Sequence, residues 1–147
     1  MKKQIYFYFA TMILVGVLGI STQAQSRNRQ QLRADIPFAF SVGNKSLPAG
    51  EYRVQVVNPS SDKSVLQITS LDGRTTMMVR TVDIEGSSTS RAKLTFRHYG
   101  DQYFLAQVWM AAETTGMATP NSGAEKTLRR QLGKTAKDFD LVAVNAR

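Results

Sequence analysis

The stretch that decides the fold spans residues 91–110 and reads Arg-Ala-Lys-Leu-Thr-Phe-Arg-His-Tyr-Gly-Asp-Gln-Tyr-Phe-Leu-Ala-Gln-Val-Trp-Met. Its first half alternates between two sets of residues with the period of two that is typical of a half-buried β-strand. Gly100-Asp101 interrupts the alternation, and glycine in the first position of a two-residue loop suits a type II′ turn. This stretch therefore predicts a long β-hairpin.

The register of the hairpin follows from its two-residue loop. The predicted pairs are His98 with Tyr103, Phe96 with Leu105, and Ala92 with Trp109. The other face of the second strand is also apolar, at Phe104, Ala106, Val108 and Met110. We therefore expect another element to cover that face. A loop one residue longer would pair Phe96 with Phe104 and exchange the faces of the second strand, so this slipped register stays open.

The N-terminus has the three parts of a secretory signal peptide. Lys2 and Lys3 precede an apolar run at 5–20, and Thr22-Gln23-Ala24 offers small residues at both cleavage-site positions. We expect cleavage after Ala24 and an exported protein, periplasmic or extracellular, with no stable membrane span. The alternative is a retained anchor, although the run is shorter than the roughly 20 residues that a spanning helix needs.

Composition agrees with one exported domain. Removing 24 of the 147 residues leaves 123, the length of a single domain. The chain has no cysteine, so disulfides and thiol chemistry are excluded. The formal net charge of +8 becomes +6 without Lys2 and Lys3, since 17 basic residues then face 11 acidic ones. Such a charge favours weak attraction to polyanions.

Patterns along the chain predict further strands. Residues 25–34 carry three arginines, three glutamines and a single large apolar residue, so we expect a flexible lead-in before a single β-rich domain at 35–147. Alternation predicts strands at 36–42 and 52–56, and a short closing strand at 139–144. Residues 83–90 are predicted to be a flexible loop, and 111–121 lack any periodicity.

A second hairpin is predicted at 65–82, where Asp72-Gly73 has the sequence context of a type I′ turn. The predicted pairs are Leu71 with Arg74, Thr69 with Thr76, Ile68 with Met77, Gln67 with Met78, and Leu66 with Val79. Both strands then agree on which side is buried.

One helix is predicted from about residue 124 to 133, with Ser122 and Glu125 spaced as in a capping box. Ala124, Leu128 and Leu132 form an apolar ridge that we expect to cover the second face of the central hairpin. A basic ridge lies about 200° round the helix, at Lys126, Arg130, Lys134 and Lys137.

The basic ridge has two interpretations. It is a candidate contact for an anionic surface such as lipopolysaccharide, an acidic polysaccharide or a nucleic acid, or it is an ordinary solvated helix face. Aromatic residues for base stacking are not interleaved with these lysines and arginines, which argues against a nucleic acid.

Antiparallel strands with short turns and one late helix indicate the fold class. We predict an all-β antiparallel sandwich or partly open barrel of about seven strands with one C-terminal amphipathic helix. Parallel pairing is not expected, because no crossover helices separate the early strands.

Two runs of sequence resemble a known group of proteins. They are Asp-Ile-Pro-Phe-Ala-Phe-Ser-Val-Gly-Asn-Lys-Ser-Leu-Pro-Ala-Gly-Glu-Tyr-Arg-Val at 35–54 and Tyr-Gly-Asp-Gln-Tyr-Phe-Leu-Ala-Gln-Val-Trp at 99–109. The chain is similar here to small exported β-rich proteins of acidobacterial type with no assigned function. The shared motifs are turn and core residues, so the resemblance implies no catalytic or binding residue.

His98 is the only histidine, which excludes metal sites that need two or three imidazoles. A hydrolase would have to use His98, with Asp101 to orient it and a serine nucleophile, but the chain has no Gly-x-Ser-x-Gly turn. The ordinary interpretation is a partly buried histidine stacked on Tyr103.

Two further patterns have a functional and a structural interpretation. Asp83-Ile84-Glu85 and Asp138-Phe139-Asp140 pair carboxylates as calcium sites do, but both lack the glycine and third oxygen ligand of a calcium loop. Tyr103, Phe104 and Trp109 are either a carbohydrate-stacking platform or core residues, and large aromatic side chains are typical of β-protein cores.

The sequence as a whole favours an exported, non-enzymatic β-domain that serves as an envelope-associated interaction or structural module and uses no cofactor. An anionic envelope component or another protein fits its charge as the partner. The alternative function is a small hydrolase that uses His98.

Overall fold

The structure is a computed structural model that describes residues 31–57, 65–133 and 140–147. Its strands are β1 (Gln31–Ile36), β2 (Phe40–Val42), β3 (Lys45–Leu47), β4 (Gly50–Val56), β5 (Val65–Ser70), β6 (Thr76–Arg80), β7 (Val82–Glu85), β8 (Lys93–Tyr99), β9 (Gln102–Trp109), β10 (Thr115–Ala118) and β11 (Asp140–Asn145). Its helix, α1, spans Gly123–Leu132. The predicted signal peptide, residues 25–30 of the predicted lead-in, Lys134, Lys137, Asp138 and Phe139 lie outside the described residues.

The strands form two sheets that pack face to face. Sheet A has the order β1-β4-β5-β6, and sheet B has the order β11-β8-β9-β10-β7. β2 joins sheet B beside β9, and β3 pairs with β2. This architecture confirms the predicted all-β sandwich with a single C-terminal helix. It has eleven described strands instead of about seven, and the sheets do not close into a barrel.

The two sheets are joined along one side by their first and last strands. The Arg33 and Arg147 backbones exchange two hydrogen bonds of 2.8 Å, beside an isolated bridge between Ala34 and Ala146. On the opposite side the chain passes from β6 to β7 through Thr81. The order of the sheets leaves β6 and β7 as terminal strands on that side.

The core lies between the inner faces of the sheets. Phe40 stands between them, with its ring centroid 5.1 Å from that of Tyr52 in sheet A and 5.4 Å from that of Phe96 in sheet B. The other fully buried large side chains there are Leu32, Ile36, Val42, Val54, Leu66, Ile68, Leu94 and Val108. One continuous core therefore holds both sheets, as hydrophobic burial requires of a domain without disulfides.

The predicted register of the central hairpin holds near the turn and changes beyond it. His98 pairs with Tyr103 and Phe96 with Leu105, which excludes the slipped register. Gly100 has a φ of +57°, whereas Asp101 does not have a positive φ, in agreement with a type II′ turn. Trp109, however, pairs with Lys93, not with Ala92.

A β-bulge causes this change of partner. Thr95 pairs with Gln107 while Phe96 pairs with Leu105, so Ala106 is the extra residue on β9. A bulge shifts the alternation of side chains by one residue. Val108 and Met110 therefore join the main core, and Trp109 lies on the outer face of sheet B.

The second hairpin has the predicted register but a different turn. Four of the predicted pairs are present, from Thr69–Thr76 to Leu66–Val79. Type I′ is wrong, because it needs a positive φ at both central residues and Asp72 has none. The Gly73 N–H donates to the Ser70 carbonyl at 2.9 Å, and Ser70 N–H donates to Thr75. The loop is therefore four residues long, 71–74, and Leu71 does not pair with Arg74.

Three other expectations are wrong where pairing partners are distant in sequence. Residues 31–34 belong to β1, because Leu32 and Ala34 are buried and the backbone pairs with β4. Residues 83–85 belong to β7, which pairs with β10, a strand within the segment that lacks periodicity. β2 and β9 pair in parallel; as they are not consecutive strands, no crossover helix is needed.

Candidate functional site

The outer face of sheet A carries two arginines in directly opposite positions. Leu32 and Ala34 point inward from β1, so Arg33 between them points outward, and the same alternation turns Arg53 outward from β4. Arg33 lies directly opposite Arg53 in the ladder between these strands. Like charges in this position destabilise a sheet, so the pair is unfavourable for folding alone.

Neighbouring rows on this face are polar as well. Arg53 is followed across the sheet by Thr69 and Thr76, whose hydroxyl groups are hydrogen-bonded at 3.3 Å. The next row contains three glutamines, Gln31, Gln55 and Gln67. Gln55 Nε2 donates to Gln67 Oε1 at 2.7 Å. The face thus offers hydroxyl and amide groups beside the two guanidinium groups.

The described carboxylates on this face form no ion pair with Arg33 or Arg53. Asp35 lies opposite Glu51, one row beyond the Arg33–Arg53 pair. Within residues 31–57, 65–133 and 140–147, neither arginine has a carboxylate within the 4.0 Å of an ion pair. Arg53 Nε is buried and has no hydrogen-bond partner. We call Arg33 and Arg53 the arginine pair; its planar guanidinium groups suit carboxylate, sulfate or phosphate oxygens.

The predicted basic ridge of α1 is exposed where the structure describes it. Lys126 and Arg130 both point into solvent, and the remaining two members, Lys134 and Lys137, lie outside the described residues. The ridge is on the helix and the arginine pair is on sheet A, so the two are separate basic surfaces. The arginine pair was not predicted from the sequence, because its members are 20 positions apart and meet only through the β1–β4 register.

The helix is attached to sheet B in a way that differs from the prediction. Ser122 Oγ accepts from the Glu125 N–H at 3.1 Å, which confirms the predicted N-cap. The Glu125 side chain does not complete the capping box; its carboxylate accepts from Arg97 and Tyr99. Ala124 and Leu132 are exposed and Leu128 is half-buried, so the apolar ridge is not the main docking surface.

His98 lies in a group of stacked rings at one end of the sandwich. Tyr103 stacks on His98 at a centroid distance of 4.2 Å and on Phe38 at 3.9 Å. Cross-strand pairing places Asp140 opposite His98 on its other side. No hydrogen bond from His98 to a serine or a carboxylate is found in the part of the chain that the structure describes. The predicted half-buried histidine stacked on Tyr103 is confirmed.

The three aromatic residues considered as a platform do not share one surface. Tyr103 packs at the edge of the main core, whereas Phe104 faces the other side of sheet B and is buried. Trp109 is 8% exposed and covers Gly116 and Gly86, and its Nε1 donates to Gln107 Oε1 at 3.0 Å. Phe104 and Trp109 are therefore packing residues of the outer face of sheet B.

A groove of about 460 Å³ lies between the turns that precede β4 and β6. Its charged residues are Glu51, Asp72 and Arg74, with Arg74 Nε 3.6 Å from Asp72 Oδ2. Hydrogen bonds from the Ser70 hydroxyl and then from the Arg74 N–H lower the pKa of Asp72. These hydrogen bonds of Asp72 stabilise the turn at 71–74. The polar contacts in the groove are therefore those that hold this turn.

The described ranges offer neither a metal centre nor a membrane-spanning helix. No group of three or more histidine, cysteine, aspartate or glutamate side chains there could hold a metal ion. Asp83 and Glu85 are exposed on β7, and the other predicted carboxylate pair is not fully described. No helix in these ranges has the length and apolar character to cross a membrane. Comparison with protein-family models, curated proteins and solved structures finds no match to this chain.

Proposed function

We propose that this protein is an exported, non-enzymatic module of the cell envelope that binds an anionic component through the outer face of sheet A. The observation that carries the proposal is the arginine pair: Arg33 directly opposite Arg53, with Arg53 Nε buried and without a hydrogen-bond partner. Export is supported by the sequence of residues 1–24, and the non-enzymatic role by the ring contacts of His98.

An anion would remove the unfavourable feature of this face. Two guanidinium groups opposite one another repel, and a carboxylate, sulfate or phosphate placed between them would turn this repulsion into two charge-assisted contacts. Hydrogen bonds to a charged group are worth about 1.5–3 kcal/mol, more than those between neutral groups. The nearby threonine and glutamine side chains would bind the hydroxyl groups of a polysaccharide.

The shape of the face favours an extended ligand over a small ion. Four adjacent strands form it, and their outward side chains lie in regular rows that continue past the arginine pair to Gln55 and Gln67. An acidic polysaccharide or the sugar-phosphate part of a lipopolysaccharide repeats its anionic groups along a chain and would follow these rows. The proposal therefore names an anionic polymer of the envelope as the ligand class.

The test is binding to immobilised dextran sulfate at low salt, with uncharged dextran as the reference surface. Replacing both arginines with glutamine (Arg33→Gln with Arg53→Gln) should raise the dissociation constant by about tenfold or more, because two charge-assisted contacts are lost. Circular dichroism should show that the variant remains folded, since like charges opposite one another are removed.

The matched control changes the helix ridge by the same charge. Lys126→Gln with Arg130→Gln should alter binding by less than about threefold, because screened surface charges without bidentate contacts contribute little. Equal losses in both variants would reduce the effect to net charge and contradict a site on sheet A. A loss in the helix variant alone would assign binding to the ridge. Absence of binding to dextran sulfate by the unmodified protein would also contradict the proposal.

A further inference from the structure

β6 is the terminal strand of sheet A, and hydrogen bonding shows which of its backbone groups face away from β5. The Ser70 N–H donates to the Thr75 carbonyl, so Ser70 and Thr75 are a hydrogen-bonded pair. Antiparallel ladders alternate between bonded and non-bonded pairs. Met77 and Val79 therefore bond to β5, and the N–H and C=O groups of Thr76, Met78 and Arg80 point outward.

Apart from the charge of Arg80 at its end, this edge lacks the features that normally prevent strands from pairing with other chains. Edge strands are usually protected by lysine, proline, a bulge or an inward charge. β6 reads Thr-Met-Met-Val-Arg, has no register shift with β5, and has Met78 at its centre with 62% of its surface exposed. In the described part of the chain no strand other than β5 pairs with it.

In one antiparallel register, centred on Met78, the strand pairs with a second copy of itself over its full length. With a two-fold axis through Met78, the outward backbone groups of the two copies meet: Met78 opposite Met78, and Thr76 opposite Arg80 of the second copy. Met77 then lies opposite Val79 on the inner face, where both are partly buried. All five residues pair, apolar side chains meet apolar ones, and the two Arg80 side chains stay apart.

Other pairings of this edge are less favourable. An axis through Arg80 would place two arginines opposite one another, which destabilises a sheet. The terminal strand of sheet B is β7, which pairs with β10. Gly86, just after β7, donates its N–H to the Thr114 carbonyl. Because bonded and non-bonded pairs alternate along the ladder, Ile84 and Val82 also bond to β10. Asp83 and Glu85 then occupy its outer edge, and two copies of that edge would bring carboxylates together.

We propose that two copies of this chain pair through β6 in the Met78-centred register, which extends sheet A into an eight-stranded sheet across the dimer. A two-fold axis between antiparallel strands is perpendicular to the sheet, so the outer faces of both copies lie on the same side. The two arginine pairs would then face one polymer, and binding of both would raise the avidity. Dimerisation itself does not depend on the proposed anion binding.

The test uses the absence of cysteine from the natural chain. Directly opposite residues in a hydrogen-bonded antiparallel pair have Cα atoms about 5.5 Å apart, within the range of a disulfide. Met78→Cys should therefore form a covalent dimer under mild oxidation. Thr76→Cys is the matched control, because four residues along a strand separate the two Thr76 positions by roughly 13 Å in the proposed dimer. Mixing Thr76→Cys with Arg80→Cys should give the cross-linked heterodimer.

Sedimentation of the unmodified protein gives the second measurement. It should show a dimer, and Met78→Lys should raise the dimer dissociation constant at least about tenfold by placing two lysines together. Val82→Lys, at an equally apolar residue that is 59% exposed on β7, should leave it unchanged. A monomer at about 100 μM, or cross-linking of Thr76→Cys as efficient as that of Met78→Cys, would overturn the proposal. A monomer that binds an added β-strand peptide at β6 would assign the edge to a different occupant.

Discussion

Arg97 and Glu125 form a buried ion pair that connects sheet B to the C-terminal helix. Arg97 Nε lies 2.6 Å from Glu125 Oε1, and the side chains are 12% and 1% exposed. Arg97 Nη2 donates to the second carboxylate oxygen at 3.0 Å and to the Leu105 carbonyl at 3.3 Å. The Tyr99 hydroxyl donates to Glu125 at 3.0 Å. The helix is therefore positioned by a buried polar cluster and not by its apolar ridge.

The first prediction follows from the burial of this cluster. Glu125→Ala should destabilise the protein by about 3–5 kcal/mol, because it leaves the Arg97 guanidinium buried without a counter-charge. Urea unfolding followed by circular dichroism measures the change. Leu128→Ala is the control on the same helix; since Leu128 is only half-buried, it should cost about 1 kcal/mol, below the usual range for a fully buried leucine. Equal costs for the two variants would contradict docking through Glu125.

The second prediction concerns the contact between Trp109 and the glycines beneath it. A Cβ at position 116 would lie 2.6 Å from the indole ring. Gly116→Ala should therefore destabilise by about 1–3 kcal/mol, the usual cost of overpacking. Gly123→Ala is the control, as its Cβ would approach only Asn44 Oδ1, at 3.4 Å.

Trp109→Ala should itself cost about 3–5 kcal/mol. In the double variant of Trp109 and Gly116 the added methyl group meets no ring. The two costs should therefore not add, since residues in contact are coupled. Additive costs in denaturant unfolding would show that Trp109 does not lie over Gly116.

The third prediction concerns stability in alkali. Burial, and then the hydrogen bond to Glu125, raise the pKa of Tyr99 above 10.0. The folded protein therefore favours the neutral phenol, so this stabilisation is complete below pH 10 and is lost as the pH rises through the folded-state pKa. The free energy of unfolding should fall above pH 10.

Tyr99→Phe should make this alkaline decline shallower. A smaller decline should remain, because burial and then the Asp72 charge also raise the pKa of Tyr52. An unchanged pH profile in Tyr99→Phe would show that Tyr99 is not the titrating group. The comparison requires urea titrations of both proteins at several pH values between about 8 and 11.

The fourth prediction concerns maturation. The intact mass of protein recovered from the periplasm or medium should correspond to a chain that begins at Gln25, because the small residues at positions 22 and 24 direct cleavage after Ala24. Replacing Ala24 with a bulky residue such as tyrosine should block processing. A membrane-bound species that retains Met1 would instead support the retained anchor.

The sequence by itself determined the local parts of this fold. Turn chemistry at Gly100 and alternation in β8 are properties of neighbouring residues, so they predicted the pairs His98–Tyr103 and Phe96–Leu105. The same reasoning predicted the register of the second hairpin and the Ser122 cap of the helix. These features depend on contacts within a few residues of the chain, or across one short turn, where steric and hydrogen-bonding preferences are strong.

Only the tertiary structure decided the features that depend on distant partners. The bulge at Ala106 places Val108 in the core and Trp109 on the outer face of sheet B, whereas strict alternation predicts the reverse. Glu125 fits a capping box by its spacing, but its carboxylate accepts hydrogen bonds from Arg97 and Tyr99, 28 and 26 positions away. The arginine pair likewise exists only in the β1–β4 ladder. Such contacts form when the whole sandwich folds, because their loop-closure entropy is offset only by the collective burial of the core.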